Sequence, residues 1–173
     1  VALLIIDPGH GGKYPGVVRE DGLREADAAL ATALTLKWLL VRMSAPFNIM
    51  LTRIEDKTIP FSARVVPATL SISLHYDIPN GAKPIYHQKG RMTSYYVAER
   101  IRLLTGKEHP VWSTEVAAHT GGRLYIDDAQ HEMVLYEVDT IDKYVDDPDY
   151  RIEKMLPLAG ALMVVMDEIK DGF

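Results

Sequence analysis

A three-layer α/β fold built on a mostly parallel, twisted sheet flanked by helices is what this chain predicts, and three observations lead there. The apolar run "ALLII" (2–6) is continuous and closes on Asp-Pro-Gly, the pattern of a short strand buried on both faces. From Leu23 onward Leu23, Ala26, Leu30, Ala33, Leu34, Trp38 and Val41 recur at helical spacing. The run "FNIMLT" (47–52) then reads as a second strand, so strand, loop, helix and strand make one right-handed crossover unit.

The first helix is expected to stop before Pro46. The weakly helical "IPFSARVVPA", broken by Pro67, serves as the crossover into a third strand, "LSISL" (70–74). A turn follows at "PNG" (79–81), then a helix near 93–105 ended by Gly106. "GRLYI" (122–126) has the look of an edge strand, and "MVLYEV" (133–138) is a strong strand candidate. The segment "PLAGALMVVMDEIK" (157–170) closes the chain as a helix opening on proline, which the first turn tolerates. Without repeat, linker or low-complexity stretch, residues 1–173 read as a single domain.

At 173 residues the chain is long enough for one well-formed core, and 47% hydrophobic with 25% charged residues is the globular average. The net charge of -5, with lysines and arginines scattered, argues against nucleic acid as a partner. There is no cysteine, which excludes disulfides, thiolate nucleophiles and sulfur-rich zinc sites. Any metal must therefore be held by His, Asp or Glu. No stretch approaches a membrane span, and "VALLII" lacks the flank and cleavage pattern of a signal peptide, so the expectation is mature, soluble protein.

Ligands of open α/β sheets collect beyond the carboxyl ends of parallel strands. That rule draws attention to His10 after "ALLII", His75 at the end of "LSISL", Glu25 in the first turn of the helix after the glycine loop, and Glu137 near the end of "MVLYEV". Two histidines, a carboxylate and one further carboxylate are the set of hydrolytic zinc sites: three ligands, an open position, and a separate acid/base. Bland alternatives stand beside each. A lone histidine near a strand end is usually a surface or hydrogen-bonded residue, and His87, His109, His119 and His131 have no strand end to raise them. Glu25 suits a helix N-terminus as a favourable charge. Glu137 in an apolar run is costly to bury unless it faces a site, although a solvated edge would also accommodate it.

The glycines of "DPGHGG" either turn the chain or clear space around an imidazole. They are not a dinucleotide loop, because Tyr14 stands where the third glycine would be. Gly106-Lys107-Glu108 is not a phosphate loop, and Gly-x-Ser-x-Gly is absent.

Taken in order, "LLIIDPGHGG", "GLREAD", "IMLTR", "SISLHYD" and "MVLYEV" resemble the zinc-dependent N-acetylmuramoyl-L-alanine amidases of the type-3 amidase family, from about residue 3 to the last helix. The resemblance implies about six strands flanked by helices, one zinc held by His10, Glu25 and His75, Glu137 as the catalytic carboxylate, and Arg64 in a structural role. Two positions depart from the family pattern. Asp77 replaces an asparagine after the second histidine, and Val138-Asp139 replaces Gly-Phe after the catalytic glutamate.

The implied activity is hydrolysis of the amide between N-acetylmuramic acid and L-alanine in peptidoglycan, by a monomer acting on the bacterial cell wall, as a phage endolysin or a bacterial autolysin. Two rivals remain at this point. One is a zinc carboxypeptidase or deacetylase on cell-wall components; the other is a peptidoglycan-binding module without catalysis.

Overall fold

In the computed structural model, which describes residues 1–106, 108–117 and 124–171, the N-terminal apolar run forms β1 (Leu3–Pro8), buried from Leu4 to its end. The strands β2 (Asn48–Leu51), β3 (Leu70–Asp77), β4 (Ile85–His87), β5 (Val111–Ser113) and β6 (Glu132–Thr140) complete a six-stranded sheet in the order β2-β1-β3-β6-β4-β5. β2, β1, β3 and β6 are parallel, so their carboxyl ends share one edge. β4 runs antiparallel to β6, and β5 runs parallel to β4.

Three long helices, α1 (Glu25–Arg42), α3 (Met92–Thr105) and α4 (Pro148–Ile169), share the main core with the sheet. Leu4, Ile6, Ile72 and Leu74 pack there with Leu36, Leu40, Ile101 and Leu162. A smaller cluster joins Tyr86 of β4 and the alternate residues Met133 and Leu135 of β6 with Ile126. The short helix α2 (Phe61–Arg64) contributes to this second face through Val65, which follows it, and the 3-10 turn Tyr125–Asp128 through Ile126.

Three local expectations needed correction. The buried face of α1 is Ala26, Ala29, Ala33, Leu36 and Leu40, whereas Leu34, Trp38 and Val41 face outward, Trp38 at 52% exposure with the Arg42 guanidinium over its ring. Alanines let the helix approach the sheet closely, so the largest apolar residues were the wrong guide. α4 begins nine residues earlier than its apolar pattern. Asp147 caps it by accepting the Asp149 and Tyr150 amides, Pro148 occupies the first turn, and Pro157 lies inside the helix. Within "GRLYI", residues 122 and 123 lie outside the described residues, and Tyr125–Asp128 is a 3-10 turn instead of a strand. β4 and β5, three residues each, are too short to show any periodicity.

Candidate metal centre

β1 and β3 end side by side, with Pro8 paired to Leu74 and the Gly9 amide donating to the Leu74 carbonyl at 2.9 Å. That register brings His10, two residues beyond β1, next to His75, and their rings meet edge to face at 4.9 Å. Glu25 arrives from the first turn of α1. Its Oε1 lies 2.9 Å from His75 Nδ1 and 3.1 Å from His10 Nε2, and it accepts the Tyr76 amide at 3.2 Å. Its Oε2 accepts the Val17 amide at 3.0 Å. Burial pushes the Glu25 carboxyl up, but hydrogen bonds and charge from the two imidazoles outweigh burial and hold it well below the usual carboxylate range.

Among the described residues, His10, Glu25 and His75 are the group whose ligand atoms all lie within 4.8 Å of one another. The donor set fits a zinc ion. Ligands about 2.0–2.1 Å from a tetrahedral zinc stand roughly 3.4 Å apart, and the two spacings here are a few tenths of an ångström shorter. One carboxylate oxygen faces nitrogens of both rings, while His75 Nε2 is buried without a hydrogen-bond partner. Each ring nitrogen that faces this oxygen must either carry a proton or turn a lone pair toward the carboxylate, and a cation between the three groups would accept all three lone pairs instead.

Glu137 stands directly across from His75 in the β3–β6 ladder. Its Oε2 is shielded from solvent with no hydrogen-bond partner. Burial, followed by the charges of Glu25 and Asp77, pushes its carboxyl well above the ordinary value. The two departures from the family pattern are both engaged elsewhere. The Asp77 carboxylate closes the following turn by accepting the Ile78 amide at 2.8 Å and the Lys83 amide at 2.9 Å. Val138 joins the main core, and Asp139 pairs with Lys154 of α4 at 2.7 Å.

The turn carrying His10 is held from below by two buried arginines. Arg53 donates to the carbonyls of Pro8 (3.1 Å), Gly9 (2.7 Å) and Ala26 (2.9 Å). Arg64 donates to those of Pro8 (2.9 Å) and His10 (2.5 Å). Arg64 was expected to be structural; Arg53, part of the "LTR" stretch, had no assigned role. A guanidinium presents several donors in a fixed plane, which suits a turn rich in outward carbonyls. Of the other histidines, His131 bonds Ser71 and His109 meets the Lys83 carbonyl; His87, on β4, packs its ring against Tyr95. His119 lies outside the described residues.

The glycines both turn the chain and make room. A Cβ on Gly9 would overlap the His75 ring, and one on Gly16, whose φ is 69°, would lie 2.7 Å from His10 Cδ2 and clash with Glu25. Gly16→Ala is therefore expected to destabilise the protein by about 1–3 kcal/mol through overpacking, plus ~1 kcal/mol for the left-handed backbone, in thermal unfolding. Gly22→Ala shares the positive φ but meets no neighbouring atom, so it should show only the backbone part.

A family model described as N-acetylmuramoyl-L-alanine amidase (Amidase_3) matches residues 4–156. The amidase AmiC of Neisseria meningitidis serogroup B is 35% identical over 80 residues, 43% of this chain and 19% of that protein. The amidase CwlM of Bacillus licheniformis is 31% identical over 101 residues, 54% of this chain and 40% of that protein. The matches thus span between a fifth and two-fifths of these relatives' lengths. In fold, the catalytic domain of the amidase CwlV from Bacillus (Paenibacillus) polymyxa var. colistinus superposes with a TM-score of 0.78 at 20% identity, covering 96% of this chain and 99% of that one. The CwlD amidase of Clostridioides difficile, in a complex with the GerS lipoprotein, gives 0.78 at 18% identity, covering 98% and 100%. With most of its length matched by the family model, the chain belongs to the Amidase_3 family of N-acetylmuramoyl-L-alanine amidases.

Proposed function

We propose that this chain is a zinc-dependent hydrolase of the bacterial cell wall that cleaves the amide between N-acetylmuramic acid and L-alanine in peptidoglycan, residues 1–173 acting as one catalytic unit. The observation that carries the reading is the meeting of His10, Glu25 and His75 at the carboxyl edge of the sheet, with Glu137 facing them from the neighbouring strand.

His10, Glu25 and His75 would hold one zinc ion, which supplies a Lewis acid for the substrate carbonyl and lowers the pKa of water. Glu137 is the base. Its unpartnered Oε2, made more basic by burial, accepts a proton from the attacking water as the new carbon–oxygen bond forms. The same carboxyl then returns the proton to the alanine nitrogen as the carbon–nitrogen bond breaks, so the products are a lactyl carboxylic acid on the glycan and a free peptide amine. His10 is the more exposed of the two imidazoles, and Gly16 packs against its ring, where a larger residue would crowd both His10 and Glu25.

Removal of metal tests this reading. Dye release from labelled cell walls should stop after exhaustive chelation and return on adding one equivalent of zinc per chain. Full activity in the chelated protein would refute the metal-dependent route.

A further inference from the structure

Asp7, at the end of β1, has no solvent exposure, and its carboxylate collects four donors. Oδ1 accepts from Thr52 Oγ1 (2.5 Å) and Arg64 Nη1 (2.7 Å). Oδ2 accepts from Ser73 Oγ (2.8 Å) and the Tyr125 hydroxyl (2.5 Å), which also meets Ser73 Oγ. Ser73 comes from the strand paired with β1, and Thr52 and Arg64 from segments beside the site. Tyr125 comes from the 3-10 turn ahead of β6, 118 positions along the chain from Asp7. Its ring stacks on Phe61 of α2, centroids 5.1 Å apart and planes 8° from parallel. Burial, together with the Asp7 charge, raises its phenol well above the ordinary value, so it stays a donor.

Arg64 connects this cluster to the metal centre. The Nη1 that bonds Asp7 also bonds the Pro8 carbonyl, and Nη2 holds the His10 carbonyl. The guanidinium is planar, so fixing one edge on Asp7 fixes where the other points. His10 needs that hold, because its φ of 57° lies in a region that non-glycine residues occupy only at a cost.

We propose that Tyr125 is a positioning residue for the metal centre: its hydroxyl completes the shell of Asp7 and, through Asp7 and Arg64, fixes the backbone and hence the imidazole of His10. The proposal rests on the reading of His10 as a metal ligand. Without the hydroxyl, Asp7 Oδ2 keeps only Ser73 as a donor, the carboxylate gains freedom to turn, and Arg64 loses its fixed angle.

The test is metal affinity in the full chain, read by competition with a chromophoric chelator for zinc and by the ligand-field absorption of cobalt(II) in the same site. Tyr125→Phe should weaken zinc binding by about 10-fold, the low end of what losing an outer partner of a ligand costs, and shift the cobalt bands. Phe61→Leu removes the ring stack, keeps the hydroxyl and should change neither. Equal affinity and spectrum in wild type and Tyr125→Phe, even with a lower melting temperature, would overturn the positioning role alone. An equal loss in Phe61→Leu would assign the effect to the ring and overturn it as well. A wild-type protein that binds neither ion would overturn both the metal reading and this proposal.

Discussion

Glu137→Gln should lower turnover on peptidoglycan by about 10²–10⁴-fold, the range expected when a general acid–base group is lost, while zinc content stays at one per chain. The substitution keeps the shape of the side chain and removes the proton acceptor. Among the described residues, Asp77 and Asp139 are engaged elsewhere, since Asp77 closes its own turn and Asp139 is paired with Lys154, and Glu25 is held between the two imidazoles. Stripped of metal, the variant should also be more stable than wild type at neutral pH. The Glu137 carboxyl is raised in the folded state, so its contribution to stability is complete below the ordinary carboxylate value of about 4.3 and is lost as pH rises through the folded value. The gap in melting temperature between Glu137→Gln and wild type should therefore open as pH increases and close toward pH 4. A gap that widened on acidification would contradict the burial of this carboxyl.

His10→Asn should lose both zinc and activity. Asparagine tolerates the left-handed backbone that His10 adopts, so the turn can persist without the imidazole. Metal affinity should fall by more than the ~10–100-fold typical of losing an outer partner, and metal analysis after dialysis should find the site depleted. Wild-type binding should weaken on the acid side too, because an imidazole must be neutral to donate to a metal. A His10→Asn protein that retained one zinc per chain after dialysis would remove His10 from the ligand set.

The sheet and the candidate metal centre are legible to different depths. "ALLII" and "LSISL" announce buried parallel strands through unbroken apolar character, and once both strands are placed, the edge rule puts His10 and His75 together. Glu25 was ambiguous from sequence alone, since a helix N-terminus explains an acidic residue equally well. Its place between the two imidazoles emerges only when the register of β1 and β3 sets both rings against one carboxylate oxygen. Asp7 and Arg53 were passed over because a turn explained the first and nothing demanded the second. Their partners, backbone carbonyls and hydroxyls from distant segments, leave no periodic trace. The outward face of α1 shows the same limit from the other side: Trp38 and Val41 repeat at helical spacing, yet alanines make the close contact with the sheet.

Mass spectrometry of the products released from purified peptidoglycan by the zinc-loaded protein tests the central claim most directly. The account predicts glycan strands whose muramic acid residues carry free lactyl carboxyl groups and free stem peptides beginning with an unblocked L-alanine amine, neither appearing with the chelated protein or with Glu137→Gln. Peptides shortened at their carboxyl end, sugars stripped of acetate, or an unaltered wall bound by the protein would contradict it.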